Sequence, residues 1–154
     1  MDVLWIVLAA GVCLTDLYVK HYIDSHKKMN CHEPVAGGHI IITRYHNPGA
    51  MLGWLREKPR ILLGVTLFSI GVLTAGFFGE LRKKRSSLIR LGLALLLGGA
   101  ASNTYDRIVH HQVTDYFRIS IGSKRLERII FNLGDMAIFI GGILTAIGEI
   151  KESF

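Results

Sequence analysis

The stretch ILLGVTLFSIGVLTAGFF, residues 61–78, decides the fold because it runs for 18 residues without a charge. A helix of a soluble bundle carries an apolar stripe opposite a polar face, and this stretch has no polar face. Its length lies within the about 17–25 residues that a membrane-spanning helix needs. The stretch therefore predicts a transmembrane helix.

Three further apolar runs have a similar length, and polar residues interrupt them at few positions. They predict, with the first stretch, an all-α membrane protein of four transmembrane helices in one domain, 1–154. Because no Lys or Arg precedes the first run, we expect an uncleaved span there rather than a signal peptide. The four predicted spans are residues 3–19, 61–78, 86–104 and 129–147.

Composition agrees with a membrane protein. Of 154 residues, 50% are hydrophobic and 19% are charged, and the mean hydropathy is +0.36. Soluble domains carry about 25% charged residues. Two cysteines are too few for a disulfide scaffold. The net charge of +6 could attract nucleic acid or anionic lipid, but the basic residues flank the spans. We therefore expect contact with membrane lipids and no nucleic acid.

Two long loops connect the spans, and both contain β-prone sequence. The loop at residues 24–60 contains GGHIIITRYH, which is consistent with a strand pair on the membrane surface, and the loop at 105–128 contains the alternating FRISI. The turn at 79–85 is short and basic. We expect a small β-containing region on the side of the long loops.

Polar residues that intrude near the spans all fall on that same side. Burying an ionisable group in a membrane is costly, so such residues indicate a functional site. An alternative is that they are interfacial groups that satisfy helix ends and one another. Spacing of three or four residues places several on shared helix faces. They are Asp16, Lys20, Asn47, Asn103, Asp106, Arg107, Asp115, Asn132 and Asp135.

Two aspartates are better candidates for catalysis than the serine or the possible metal site. Asp115 and Asp135 flank one loop, and carboxylates held about 3 Å apart share a proton. The ionised group can take a proton from water while its partner donates to a carbonyl oxygen, which is amide hydrolysis without a cofactor. Ser102 has no histidine inside a span to activate it. Cys31 and His32 could join a loop histidine at a metal, but the spacing matches no known site, so we expect no metal.

Five short motifs follow one another between Asp16 and Asp135: TDLYVK, NPGAMLGWL, GGAASNTYDR, VTDYF and FNLGD. In order and spacing these motifs resemble those of the bacterial lipoprotein signal peptidase family, also called signal peptidase II. Members of that family are membrane aspartic peptidases. The family patterns differ at a few positions. They have Gly where Ser102 stands, Ala where Gly134 stands and Val-Val-Asp-Phe where this chain has VTDYF. An aromatic residue usually follows closely after the position of Ala50, whereas Met51 and Leu52 come first in this chain.

The resemblance implies a site and a substrate. It assigns the catalytic pair to Asp115 and Asp135, with Asp106 as a rival for the first position. The substrate would be a prolipoprotein with a diacylglyceryl-modified cysteine, cleaved just before that cysteine, and a globomycin-type cyclic peptide would inhibit the reaction. The supporting or substrate-binding positions would be Asp16, Lys20, Asn47, Gly49, Ala50, Asn103, Asp106, Arg107 and Asn132.

The resemblance also implies a multi-pass protein of the bacterial cytoplasmic (inner) membrane, with its site near the extracytoplasmic face. The positive-inside rule favours the opposite orientation, since 12 Lys and Arg lie on the active side and 6 on the other. We follow the family, because the densest basic cluster is the turn at 79–85. We expect a monomer.

Two other functions stay open. A small transporter would use Asp16 as a proton or cation site, although the polar residues cluster at one surface rather than crossing the membrane. A non-catalytic relative that binds lipidated peptides would keep the shape of the site without cleaving.

Overall fold

Four long helices form most of the protein. The computed structural model describes residues 2–50, 55–83, 86–123 and 126–154, so Met51 and Leu52 lie outside the described residues. The long helices, in chain order, are α1 (Asp2–His26), α2 (Pro59–Lys83), α3 (Ser87–Val109) and α4 (Leu133–Glu152).

The helices do not have the bounds predicted from the apolar runs. α1 and α2 extend beyond residues 3–19 and 61–78 at both ends, and α3 begins at Ser87 but continues past residue 104, because polar residues continue each helix past its apolar segment. The fourth prediction was wrong at its start. Asn132 caps α4, and Phe131 pairs with Phe117 instead of joining the helix.

Three of these helices, α1, α2 and α4, are long and apolar enough to cross a membrane. Large apolar side chains lie on their outer faces, where Phe68 is 75% exposed and Phe139 is 66% exposed. Such surfaces suit contact with lipid, and the protein is an integral membrane protein. α3 does not meet the same criteria. It carries buried polar side chains, among them Arg90, Ser102 and Asn103.

α3 occupies the centre of the bundle and packs against the other three helices. Glycines allow the closest approach, between α3 and α4. A Cβ atom at Gly141 would lie 2.6 Å from the carbonyl oxygen of Gly92 and 2.8 Å from the backbone nitrogen of Leu96. The apolar core lies at the same level of α3, where Phe77, Leu81 and Ala94 pack together.

A three-stranded antiparallel sheet lies between the helix ends. Its strands are β1 (Glu33–Val35), β2 (Ile40–Asn47) and β3 (Val113–Ile119), in the spatial order β1-β2-β3. The expected strand pair within GGHIIITRYH was wrong, since this segment forms one strand, which pairs on both sides. β2 pairs Tyr45 with Asp115 of β3. The strand expected at FRISI begins earlier, at Val113, and ends at Ile119.

The helix contact at Gly141 gives a stability prediction. Gly141→Ala should lower the unfolding free energy by about 1–3 kcal/mol, since the methyl group has no space between α4 and α3. A Cβ atom on its neighbour Gly142 would meet no atom within 4 Å, so Gly142→Ala is the matched control. Thermal unfolding in detergent measures both. Equal melting temperatures for the two variants would contradict the packing.

Candidate active site

Two aspartates from separate elements meet at the start of α4. Asp115 lies in β3 and is 3% exposed, and Asp135 lies in the first turn of α4. Asn132 contacts both. Its side-chain Nδ2 donates to Asp115 Oδ1 at 2.8 Å, and its backbone N–H donates to Asp135 Oδ2 at 3.2 Å. The two carboxylates are therefore positioned by one residue.

Local sequence explains why Asn132 has this position. It is the N-cap of α4, and its Oδ1 accepts the backbone N–H of Asp135 at 2.8 Å. Together with the reciprocal bond to Asp135 Oδ2, this forms a capping box. The preceding residue, Phe131, exchanges backbone hydrogen bonds with Phe117 in β3. The start of α4 is thereby fixed beside the strand that carries Asp115.

Two more asparagines complete the contacts of the pair. Asn47, at the end of β2, donates from Nδ2 to Asp115 Oδ2 at 2.9 Å. Asn103, in α3, donates from Nδ2 to Asp135 Oδ1 at 2.8 Å. Each of the four carboxylate oxygens therefore accepts an N–H group.

The orientation of each asparagine amide is fixed by a donor to its oxygen. Asn47 Oδ1 accepts the backbone N–H of Gly49 at 3.0 Å, and Asn103 Oδ1 accepts Lys20 Nζ at 2.8 Å. An amide oxygen can only accept. The NH₂ group of each amide must therefore face its carboxylate.

Lys20 is 2% exposed and lies among acidic and polar groups. Its Nζ is 2.8 Å from Asp16 Oδ2 and 3.1 Å from Asp106 Oδ2, so the pairing expected between Asp16 and Lys20 is present. It also donates to Ser102 Oγ at 3.0 Å. A buried charge is tolerated when it is paired and hydrogen-bonded, and Lys20 meets this condition.

Arg107 joins the end of α3 to the segment that follows β2. Its Nη1 donates to the carbonyl oxygen of Asn103 at 3.3 Å, and its Nη2 donates to that of Gly49 at 3.4 Å. Gly49 is buried and Ala50 is half-buried beside it. The predicted supporting positions on this segment are thus held next to α3.

Sequence reasoning missed Asp24. Its Oδ1 lies 2.8 Å from His46 Nε2, and its Oδ2 accepts Thr114 Oγ1 at 2.9 Å. His46 and Thr114 are register partners in the sheet, and each immediately precedes a residue of the site, Asn47 or Asp115. Strand pairing is the signal that could have connected them, because Asp24 itself lies in another element.

Tyr116 was missed as well, and Ser102 was considered as a nucleophile and as a departure from the family motif, but not as a partner of Asp16. The Tyr116 hydroxyl donates to Asp16 Oδ1 at 2.9 Å, and Ser102 Oγ donates to Asp16 Oδ2 at 2.6 Å. Both partners are far from Asp16 in the chain. The sequence offered one signal, which is that Ser102 stands where the family motif has Gly.

The electrostatics of Asp115 are unusual for a carboxyl group. Burial, together with the charge of Asp135, raises the pKa of Asp115 from 3.8 to about 7. The hydrogen bonds from Asn47 and Asn132 act in the opposite direction, since they stabilise the charged form. Asp115 therefore retains a proton near neutral pH while it is held beside a second carboxyl group.

This arrangement can perform general acid–base chemistry. Two adjacent carboxyl groups that share one proton provide a base for a water molecule and an acid for a carbonyl oxygen. Among the described residues, no group of three His, Cys, Asp or Glu side chains could hold a metal ion. The aspartate pair itself has the groups that acid–base hydrolysis of an amide requires.

Comparison with known proteins identifies the family. The family model described as signal peptidase (SPase) II matches residues 8–151. The chain belongs to the signal peptidase II family, and it is a peptidase. The matched range contains all the residues of the site, and the resemblance drawn from the five motifs is confirmed.

Relatives and solved structures agree with this family. The chain is 33% identical to the lipoprotein signal peptidase of Syntrophus aciditrophicus, over 97% of this chain and 94% of the relative. It is 35% identical to that of Moorella thermoacetica, over 91% and 88%. A bacterial membrane enzyme solved by the in meso method at 2.3 Å resolution has a TM-score of 0.83 and 25% identity, over 97% of this chain and 88% of that one.

The pKa of Asp115 gives a prediction for stability. The folded protein keeps this proton up to about pH 7, whereas the unfolded chain loses it near pH 4. Raising the pH from 4.5 to 8 should therefore reduce the unfolding free energy of the wild type relative to Asp115→Asn, by roughly 3–4 kcal/mol. Thermal unfolding in detergent at both pH values measures the difference, with Asp2→Asn as the control. A difference that does not change with pH would contradict the raised pKa.

Proposed function

We propose that this signal peptidase II family member is an aspartic endopeptidase with Asp115 and Asp135 as its catalytic pair. Its substrates are prolipoproteins whose cysteine carries a diacylglyceryl group, and it removes the signal peptide by cleaving before that cysteine. Family membership supports the substrate class. The observation that carries the catalytic assignment is the contact of Asn132 with both carboxyl groups.

The proposed reaction is direct attack by water. The ionised carboxylate of the pair takes a proton from water, and the protonated carboxyl donates to the oxygen of the scissile carbonyl. Because the groups interact, the single proton belongs to the pair rather than to one residue. Asn47, Asn103 and Asn132 keep both carboxyl groups in place through their amide N–H groups.

Asp106 is a weaker candidate for the first catalytic position. It is 3% exposed, it faces Lys20 at 3.1 Å, and it accepts the backbone N–H of Thr114 at 3.3 Å. These contacts suit a structural carboxylate paired with a buried cation. Asp16 is similarly paired with Lys20, which disfavours a free cation site for a transporter.

For membrane topology we propose that α3 is the fourth span. At about 1.5 Å rise per residue, its 23 residues reach about 34 Å, which exceeds the hydrocarbon thickness of about 30 Å. Its polar side chains, including Arg90 and Asn103, are buried against neighbouring helices. The membrane is the bacterial cytoplasmic membrane, and the end that carries the sheet and the aspartates faces outward.

A cavity beside the site could accept part of the substrate. Its volume is about 300 Å³, and apolar and cationic side chains share its walls. Arg107 connects this cavity to the site, because it also contacts Asn103 and Gly49. A globomycin-type inhibitor would compete for the same site, and a monomer is sufficient for the proposed reaction. The lining residues are Pro48, Pro59, Arg60, Leu62, Leu63, Arg107 and His111.

Removing either catalytic carboxyl should abolish cleavage. Asp115→Asn and Asp135→Asn should each lower kcat by about a thousandfold or more, since neither variant can share a proton between two carboxyl groups. The assay uses purified protein in detergent and a diacylglyceryl-modified prolipoprotein, with product masses measured. The globomycin-sensitive fraction of the wild-type rate identifies the reaction.

Asp2→Asn provides the control, because Asp2 is an exposed aspartate at the start of α1. It should cleave at the wild-type rate. Full activity in either folded catalytic variant would refute the assignment. Loss of activity only in Asp106→Asn would move the pair, and a folded wild type that binds the substrate without cleaving it would identify a non-catalytic relative.

A further inference from the structure

Asp16 is the most enclosed carboxylate of the site region, with no exposed surface. Three groups donate to it. Tyr116 Oη contacts Oδ1 at 2.9 Å, while Ser102 Oγ and Lys20 Nζ contact Oδ2 at 2.6 and 2.8 Å. None of the three donors is on the protein surface. Donors from α1, α3 and β3 therefore converge on the Asp16 carboxylate.

Tyr116 also connects the Asp16 carboxylate to the start of α4. Its hydroxyl oxygen accepts the backbone N–H of Leu133 at 2.8 Å, in addition to donating to Asp16. Tyr116 directly follows Asp115, and Leu133 directly follows Asn132. The Tyr116 hydroxyl therefore links the residue after Asp115 to the residue after Asn132. Burial and the charge of Asp16 keep the pKa of Tyr116 above its ordinary value, so the hydroxyl keeps its proton.

Gly134 leaves the space that Asp16 occupies. A Cβ atom at Gly134 would lie 2.8 Å from Asp16 Oδ2 and 3.1 Å from Asn132 Oδ1. The first distance is too short for a carbon atom, so an alanine would require Asp16 to move. Asp16 Oδ2 is the same atom that Ser102 and Lys20 hold. The carboxylate therefore cannot move without breaking these bonds.

Ser102, Tyr116 and Gly134 surround the same carboxylate. Ser102 and Tyr116 each donate a hydrogen bond to Asp16, and the missing side chain at Gly134 leaves the space that Asp16 Oδ2 fills. They form a matched set, because all three determine where this carboxylate can lie.

We propose that Ser102, Tyr116 and Gly134 act together as positioning residues that hold Asp16 and, through it, set the separation of Asp115 and Asp135. This inference rests on the proposed function of the pair. The three residues position the aspartates without taking part in the reaction. Their effect passes through Tyr116 to Leu133 and Asn132, and through Lys20 to Asn103.

Tyr116→Phe tests the hydroxyl. It should lower kcat by about 10- to 100-fold and leave KM within about twofold, because it removes a charge-assisted bond that orients the pair and contacts no substrate. Tyr18→Phe is the matched control, since Tyr18 is 70% exposed, and it should not change kcat. A folded Tyr116→Phe with wild-type kcat, or one altered only in KM, would overturn the proposal.

A double-mutant cycle tests the matched set. Gly134→Ala should lower kcat by about tenfold or more, because its methyl group displaces Asp16. Adding Ser102→Ala should restore about tenfold of that loss, since it removes one of the two bonds that hold Asp16 Oδ2 against the methyl group. The control is Gly142→Ala, on the same helix and with open space at its side-chain position.

The outcomes separate this inference from the proposed function. A wild type that cleaves, with independent effects of Ser102→Ala and Gly134→Ala, would refute the matched set and leave the catalytic pair standing. A wild type that does not cleave the lipidated substrate would refute the proposed function itself. In that case thermal unfolding of the same four proteins still reports whether the two substitutions are coupled, and additive melting temperatures would overturn the contact.

Discussion

Asn132 contacts both aspartates at once, and the rest of the site depends on this contact. Its backbone N–H and side-chain Oδ1 cap α4 through Asp135, which leaves its Nδ2 for Asp115 in the strand. Because the same residue starts the helix and reaches the strand, the position of α4 determines the separation of the two carboxyl groups. The backbone bonds between Phe131 and Phe117 bring the strand to this point.

Buried charge is the cost of this arrangement, and pairing offsets it. Asp16 is completely inaccessible to solvent, and Lys20 and Asp106 are almost inaccessible. A single lysine lies within 3.1 Å of both acids, pairs with each of them and, by donating to Asn103, orients the Asn103 amide towards Asp135. Removing one member of such a cluster leaves an uncompensated charge. The network therefore connects the stability of the helix bundle to the geometry of the aspartate pair.

The sequence was sufficient for the helical class, the order of the apolar runs and the common side of the polar residues, because hydropathy and chain direction determine them. It was insufficient for the start of α4. The spacing of Asn132 and Asp135 was interpreted as a helix face, whereas it is a capping box at which the helix begins. It also could not reveal the donors to Asp16, since Ser102 and Tyr116 are 86 and 100 residues away, and local pattern does not determine side-chain direction across elements.

The pH dependence of kcat/KM for a diacylglyceryl-modified prolipoprotein tests the central claim most directly, which is that two carboxyl groups sharing one proton perform the hydrolysis. With one group required as base and one as acid, the profile should be bell-shaped. The alkaline limb should fall near pH 7, where the pKa of Asp115 lies. A rate that stays constant or rises from pH 7 to pH 9 would contradict the shared proton.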